Sequence, residues 1–100
     1  MVEILVGTVD EIPEGSAKLV TAGEREIAVF NLEGEFFAIG NTCPHRGGPL
    51  HEGSVHDNVV SCPLHNWQFD IRPGQSLMSP NTKVPTYKVE VRDDQVILMV

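Results

Sequence analysis

Two short stretches constrain this chain more than anything else in it: Cys43-Pro44-His45-Arg46-Gly47-Gly48 and Cys62-Pro63-Leu64-His65-Asn66-Trp67. Each holds one cysteine and one histidine, and in each a proline follows the cysteine. They contain the only two cysteines of the 100-residue chain, so all its thiolate chemistry must happen there. The spacing is Cys43-x-His45, sixteen residues, then Cys62-x2-His65. A chain this short suits a single domain with a modest core. In such a domain a metal site can supply much of the stability.

Thiolate and imidazole are ligands for zinc, iron and iron–sulfur clusters. Neither pair is long enough to wrap a metal alone, but two loops that approach each other could pool four ligands. Three explanations compete. The cysteines could be redox-inert, with incidental histidines beside them. They could belong to a structural zinc module used for protein binding, although such sites usually place two cysteines in one knuckle. They could hold a [2Fe–2S] cluster in which two histidines replace two cysteines on one iron.

The rest of the chain reads as short β-branched runs cut by turn residues. Strands are predicted over 3–6, 17–21, 25–32, 35–40, 58–62, 67–71, 87–92 and 95–100. Hairpin turns are predicted at Glu33-Gly34 and Asp93-Asp94. No window has a helical period, and Val9–Gly15 allows at most one short helical turn. Phe30, Phe36, Phe37, Val89, Val91, Ile97 and Met99 are the expected core. Residues 41–80 are rich in Gly, Pro, Asn, Ser and His, the composition of functional loops. The expected fold class is therefore all-β, a single domain over 1–100. Its base is an antiparallel β-sandwich or barrel from 1–40 and 81–100, and a loop-built subdomain at 41–80 is inserted in it.

Net charge is −7. In residues 1–40, Lys18 and Arg25 face eight acids, a net of −6, whereas residues 41–65 carry −1 and 66–100 carry none. This pattern argues against binding to nucleic acid or an anionic membrane surface. The opening Met1–Gly15 has no basic segment followed by an apolar run. No stretch approaches the ~18–20 apolar residues that span a bilayer. A cytoplasmic protein with reduced cysteines is expected.

The motif Cys-Pro-His-x16-Cys-Pro-Leu-His resembles that of Rieske proteins, and the likeness extends through the flanking strands to Val84–Val91. The resemblance implies the Rieske fold with a cluster-binding subdomain at 41–80. It also implies one [2Fe–2S] cluster, with Cys43 and Cys62 on one iron and His45 and His65 on the other. Two thiolates leave the oxidised site neutral where four would leave it at −2, so reduction is easier than in plant-type ferredoxins. The chain lacks the extra cysteine pair and the membrane anchor of the high-potential members. It resembles the low-potential soluble Rieske ferredoxins, with a potential expected at roughly −150 mV. Pro44 and Pro63 would stiffen the loops, and Gly47 and Gly48 would permit positive φ or close approach to the cluster. Arg46 and Trp67 are candidate partner-docking residues, Trp67 being also a candidate for core packing. The segment with Pro80 and Pro85 resembles a third, shielding loop. His51 and His56 read as solvated.

A chain with no Rossmann glycine fingerprint and no evident substrate pocket reads as an electron-transfer component rather than an enzyme. The resemblance implies a carrier between an NAD(P)H-dependent flavin reductase and a terminal ring-hydroxylating oxygenase. The alternative it implies is the small Rieske subunit of an assimilatory NAD(P)H nitrite reductase.

Overall fold

A computed structural model describes residues 2–44, 47–64 and 66–100. Among the described residues, ten strands form two antiparallel sheets. The larger has β1 (Glu3–Thr8), β2 (Ala17–Ala22), β3 (Arg25–Leu32), β4 (Glu35–Gly40), β9 (Thr86–Arg92) and β10 (Gln95–Met99), in the order β1-β10-β9-β4-β3-β2. The smaller has β5 (Ser54–His56), β6 (Val59–Ser61), β7 (Gln68–Asp70) and β8 (Gln75–Ser76) as a meander. The expected all-β class is what the chain adopts, with the four-stranded sheet inserted between β4 and β9.

Local chemistry sets the turns. The β3–β4 and β9–β10 hairpins pair Leu32 with Glu35 and Arg92 with Gln95, leaving two-residue loops. Both loop residues have positive φ in each case: Glu33 and Gly34, Asp93 and Asp94. This is the turn whose twist matches that of the flanking strands. Asn31, buried, supports the first turn by accepting the Gly34 N–H at 2.8 Å and donating to the Ile12 carbonyl at 2.8 Å. The short helical turn falls at Val9–Glu11, where Glu11 accepts the Thr8 N–H at 2.7 Å.

The larger sheet curls until its edge strands meet. They share no backbone ladder. Instead the Lys18 ammonium on β2 donates to the Val6 carbonyl on β1 at 2.6 Å. Val6 is available because the β1–β10 register shifts between Leu5 and Gly7. Arg92 braces the opposite side of β1, with a bidentate pair to Glu3 and a further contact to Glu90.

The core has two compartments. Val6, Ile12, Ile27, Val29, Ala38, Val96 and Leu98 fill the inside of the curled sheet. Ala28, Phe30, Leu32, Ile39, Leu50, Val60, Phe69, Ile71, Val84 and both cysteines pack between that sheet and the smaller one. Strand β3 therefore has a buried residue at every position from Ile27 to Leu32. A run that suggests one buried face in fact buries both, as in sheets covered on each side.

Part of the expected core changes face. Phe30 and Met99 are buried, and Phe36, Phe37, Val89 and Ile97 are half-buried, but Val91 is 48% exposed. The β10 residues inside the curled sheet are Val96 and Leu98. Gln95–Val100 is apolar on both faces, so its period cannot say which face is covered. Val91 pairs with Val96 next to the Asp93-Asp94 turn, beyond the Thr86–Tyr87 stretch where β4 flanks β9.

Candidate metal centre

The two cysteines lie in loops of the same construction. In the first, the Cys43 N–H donates to the Gly48 carbonyl at 2.9 Å and the Gly47 N–H to the Cys43 carbonyl at 2.7 Å. In the second, the Cys62 N–H donates to the Trp67 carbonyl at 2.7 Å and the Asn66 N–H to the Cys62 carbonyl at 2.9 Å. Each loop is thus closed from its cysteine to positions four and five residues on. The fourth position has a left-handed backbone in both, at φ 73° for Gly47 and 57° for Asn66. Glycine and asparagine are the residues that tolerate this conformation most readily. Pro44 and Pro63 directly follow the cysteines, where the closure needs no N–H.

The loops meet at Gly48. A Cβ placed there would fall 2.5 Å from the Cys62 sulfur and 3.1 Å from Leu64 Cγ. The close approach expected of the glycine pair therefore belongs to Gly48, and the positive φ to Gly47. Cys43 and Cys62 are 1% and 0% exposed and are not joined by a disulfide. Trp67 is half-buried against the same core compartment as the cysteines, which is the packing role.

His45, Arg46 and His65 lie outside the described residues. Among the described residues no three His, Cys, Asp or Glu side chains gather into a metal site. The two thiols are the portion of the expected four-ligand set that is described. Their burial, the matched loops and the Gly48 cradle beside the Cys62 sulfur fit a thiolate-held cluster seated between the loops.

The remaining candidates fall elsewhere. His56 is exposed. His51 is half-buried, contrary to a solvated reading, because its ring Nδ1 lies 3.0 Å from Asn41 Oδ1. Asn41 itself is not signalled by the sequence, since its side-chain partner His51 lies ten residues away. Pro85 packs against Gly40 at the end of β4. The segment with Pro80 is held by Gln75, whose side-chain amide donates toward the Ser79, Pro80 and Thr82 carbonyls at 3.0–3.2 Å. Leu64, Leu77 and Met78, each more than half exposed, are large apolar residues on the loops at this end of β6–β8. No described helix is long and apolar enough to cross a membrane.

Comparisons with known proteins agree with this geometry. The chain is 39% identical over 102 residues to the 3-phenylpropionate/cinnamic acid dioxygenase ferredoxin subunit of Photorhabdus laumondii, covering 100% of this chain and 96% of that one. Its structure superposes with a TM-score of 0.90 and 26% identity on a chain from a complex of reduced oxygenase and oxidised ferredoxin in carbazole 1,9a-dioxygenase, covering 96% of this chain and 91% of that one. It also superposes, at a TM-score of 0.90 and 25% identity, on a protein of Mycobacterium tuberculosis provisionally named as an NADH-dependent nitrite reductase small subunit, covering 97% of this chain and 93% of that one. The model of the Rieske [2Fe-2S] domain matches residues 2–88, a span that includes both cysteine loops, and the chain belongs to that family.

Proposed function

We propose that this protein is a one-electron carrier that takes electrons from an NAD(P)H-dependent flavin reductase and passes them to a terminal ring-hydroxylating oxygenase. The observation that carries this reading is 39% identity over the whole chain to a dioxygenase ferredoxin subunit. When bound, a Rieske [2Fe–2S] cluster supplies a one-electron couple. Cys43 and Cys62 would hold one iron as thiolates, and His45 and His65 the other through ring nitrogens. The burial of both cysteines supports a dry thiolate side, which a cluster site needs to keep its sulfur ligands from exchange with water. The prolines and the doubled loop closure would help to hold those sulfurs in place.

An electron-transfer component needs a contact surface rather than a substrate pocket. The exposed Leu64, Leu77 and Met78 support contact with a partner at the loop end, with Arg46 and Trp67 as the further docking candidates. The described cleft lined by Glu14, Asn31, Leu32, Glu33, Val55 and Asp57 includes no residue of either cysteine loop. The whole chain 1–100 acts as one domain in this reading, with 41–80 as the cluster-binding part.

A second reading, the small subunit of a nitrite reductase, is favoured by the superposition on the Mycobacterium tuberculosis protein. One experiment separates them. The purified protein is reduced by a flavin reductase and offered to a ring-hydroxylating oxygenase and to a sirohaem nitrite reductase large subunit. Turnover with the oxygenase alone is the expected result. Turnover with the nitrite reductase alone would replace the first reading with the second. A colourless, zinc-loaded protein with no EPR signal on reduction would remove both.

A further inference from the structure

The two cysteine loops share one closure but stand on unequal foundations. The second loop tips a regular ladder, since the residues flanking it, Ser61 and Gln68, pair within β6–β7. The first has no strand pair beneath it. Among the described residues its stems form no strand ladder and share the isolated bridge between Thr42 and Pro49. Below that bridge a single residue, Asn41, takes the place of a ladder. Its N–H donates to the Glu26 carbonyl at 2.8 Å, which ties it to the start of β3. Its carbonyl accepts the Leu50 N–H at 2.7 Å. Its side-chain Oδ1 accepts the His51 N–H at 2.7 Å and lies 3.0 Å from His51 Nδ1.

The chemistry of these contacts is settled by the backbone. A peptide N–H can only donate, so the side-chain atom that faces it is the oxygen. That oxygen then requires a proton on Nδ1 of the ring, which fixes the tautomer of a neutral His51. Asn41 is 2% exposed, so a lost partner could not be replaced easily by water.

We infer that Asn41 is a positioning residue for the cluster site: by gripping both ends of the first ligand loop it holds Cys43 in register with Cys62. The inference rests on the proposed cluster reading and concerns how this chain keeps one half of its ligand set in place. His51 serves as the second jaw of the grip.

The test uses the purified cluster-loaded protein with Asn41→Ala and Asn41→Asp. Three readouts are taken: iron extraction by a chelator, the EPR line shape after reduction, and hydrogen exchange of the peptide spanning 47–56. Asn41→Ala is expected to speed extraction about tenfold, as the unmade bond to a buried donor favours loop opening. It should also broaden the EPR lines and release protection at Leu50 and His51. Asn41→Asp keeps an oxygen at the same place and is expected to return exchange and extraction to within about threefold of wild type. Wild-type rates in Asn41→Ala would overturn the inference, as would an Asn41→Asp protein no better than Asn41→Ala. The wild-type protein tests the grip even if Asn41→Ala does not fold, because fast exchange at His51 would show that the bond to Asn41 is not made. A wild-type protein without a cluster spectrum defeats the cluster reading itself. A normal spectrum with an indifferent Asn41→Ala defeats this inference alone.

Discussion

Gly48 lies against the sulfur of Cys62, so close that a Cβ would stand 2.5 Å from it. One loop thus reserves space beside the proposed ligand of the other. Gly48→Ala must push the sulfur, Leu64 or the loop aside, at a cost of roughly 1–3 kcal/mol. The expected outcome is a folded protein with lowered cluster occupancy, read as the ratio of iron to protein. Gly47→Ala provides the contrast. Among the described residues nothing lies within 4 Å of its Cβ position, and its φ of 73° costs about 1 kcal/mol for alanine. That variant should lose stability yet keep its iron.

Asn66 occupies in the second loop the place of Gly47 in the first, at φ 57°. Asn66→Gly is expected to be near neutral. Asn66→Val should destabilise the protein by about 1–2 kcal/mol, because a β-branched side chain disfavours the left-handed region. Denaturant midpoints of the two variants, measured at equal cluster loading, check this ordering.

His45→Cys changes the charge of the proposed ligand set. An added thiolate makes the site one unit more negative in both redox states. Either the cluster is lost, or its potential falls toward plant-type values, a drop on the order of 100–250 mV. An unchanged potential in protein-film voltammetry would refute His45 as a ligand.

The seam between β1 and β2 makes the fold sensitive to acid. The Thr8 N–H and then the Lys18 ammonium hold the Glu11 carboxyl below its ordinary value of 4.5. Arg92 does the same for Glu3 and Glu90. A carboxyl depressed in the folded state contributes stability that is present above the unfolded value and lost as pH falls through the folded one. Stability should therefore hold down to about pH 4.5 and fall below it. Glu11→Gln should flatten part of that fall in thermal melts. Lys18→Met should lower stability across the neutral range by about 1.5–3 kcal/mol, since it strands the Val6 carbonyl at the seam.

What the sequence disclosed follows the range of the interactions. Glu33-Gly34 and Asp93-Asp94 announce their hairpins because a turn depends on its own two residues. The cysteine loops are legible for the same reason: cysteine, proline and a residue suited to positive φ fall within five positions. The family motif then places both loops at one site. Asn41 is not legible, because its role depends on His51 ten positions away and on Glu26 fifteen positions before it. The inner face of β10 is hidden by a run that is apolar throughout. The short strands at Ser54–His56 and Gln75–Ser76 carry too few residues to show a period.

Strand β3 is walled on both sides, with Ile27 and Val29 in one core compartment and Ala28, Phe30 and Leu32 in the other, beside Cys43 and Cys62. A strand shared in this way cannot be released by one compartment while the other keeps it. The curled sheet and the loops proposed to hold the cluster should therefore melt together. Iron occupancy then becomes a thermostat for the whole protein, and heating the barrel should bleach the cofactor at the temperature where the sheet comes apart.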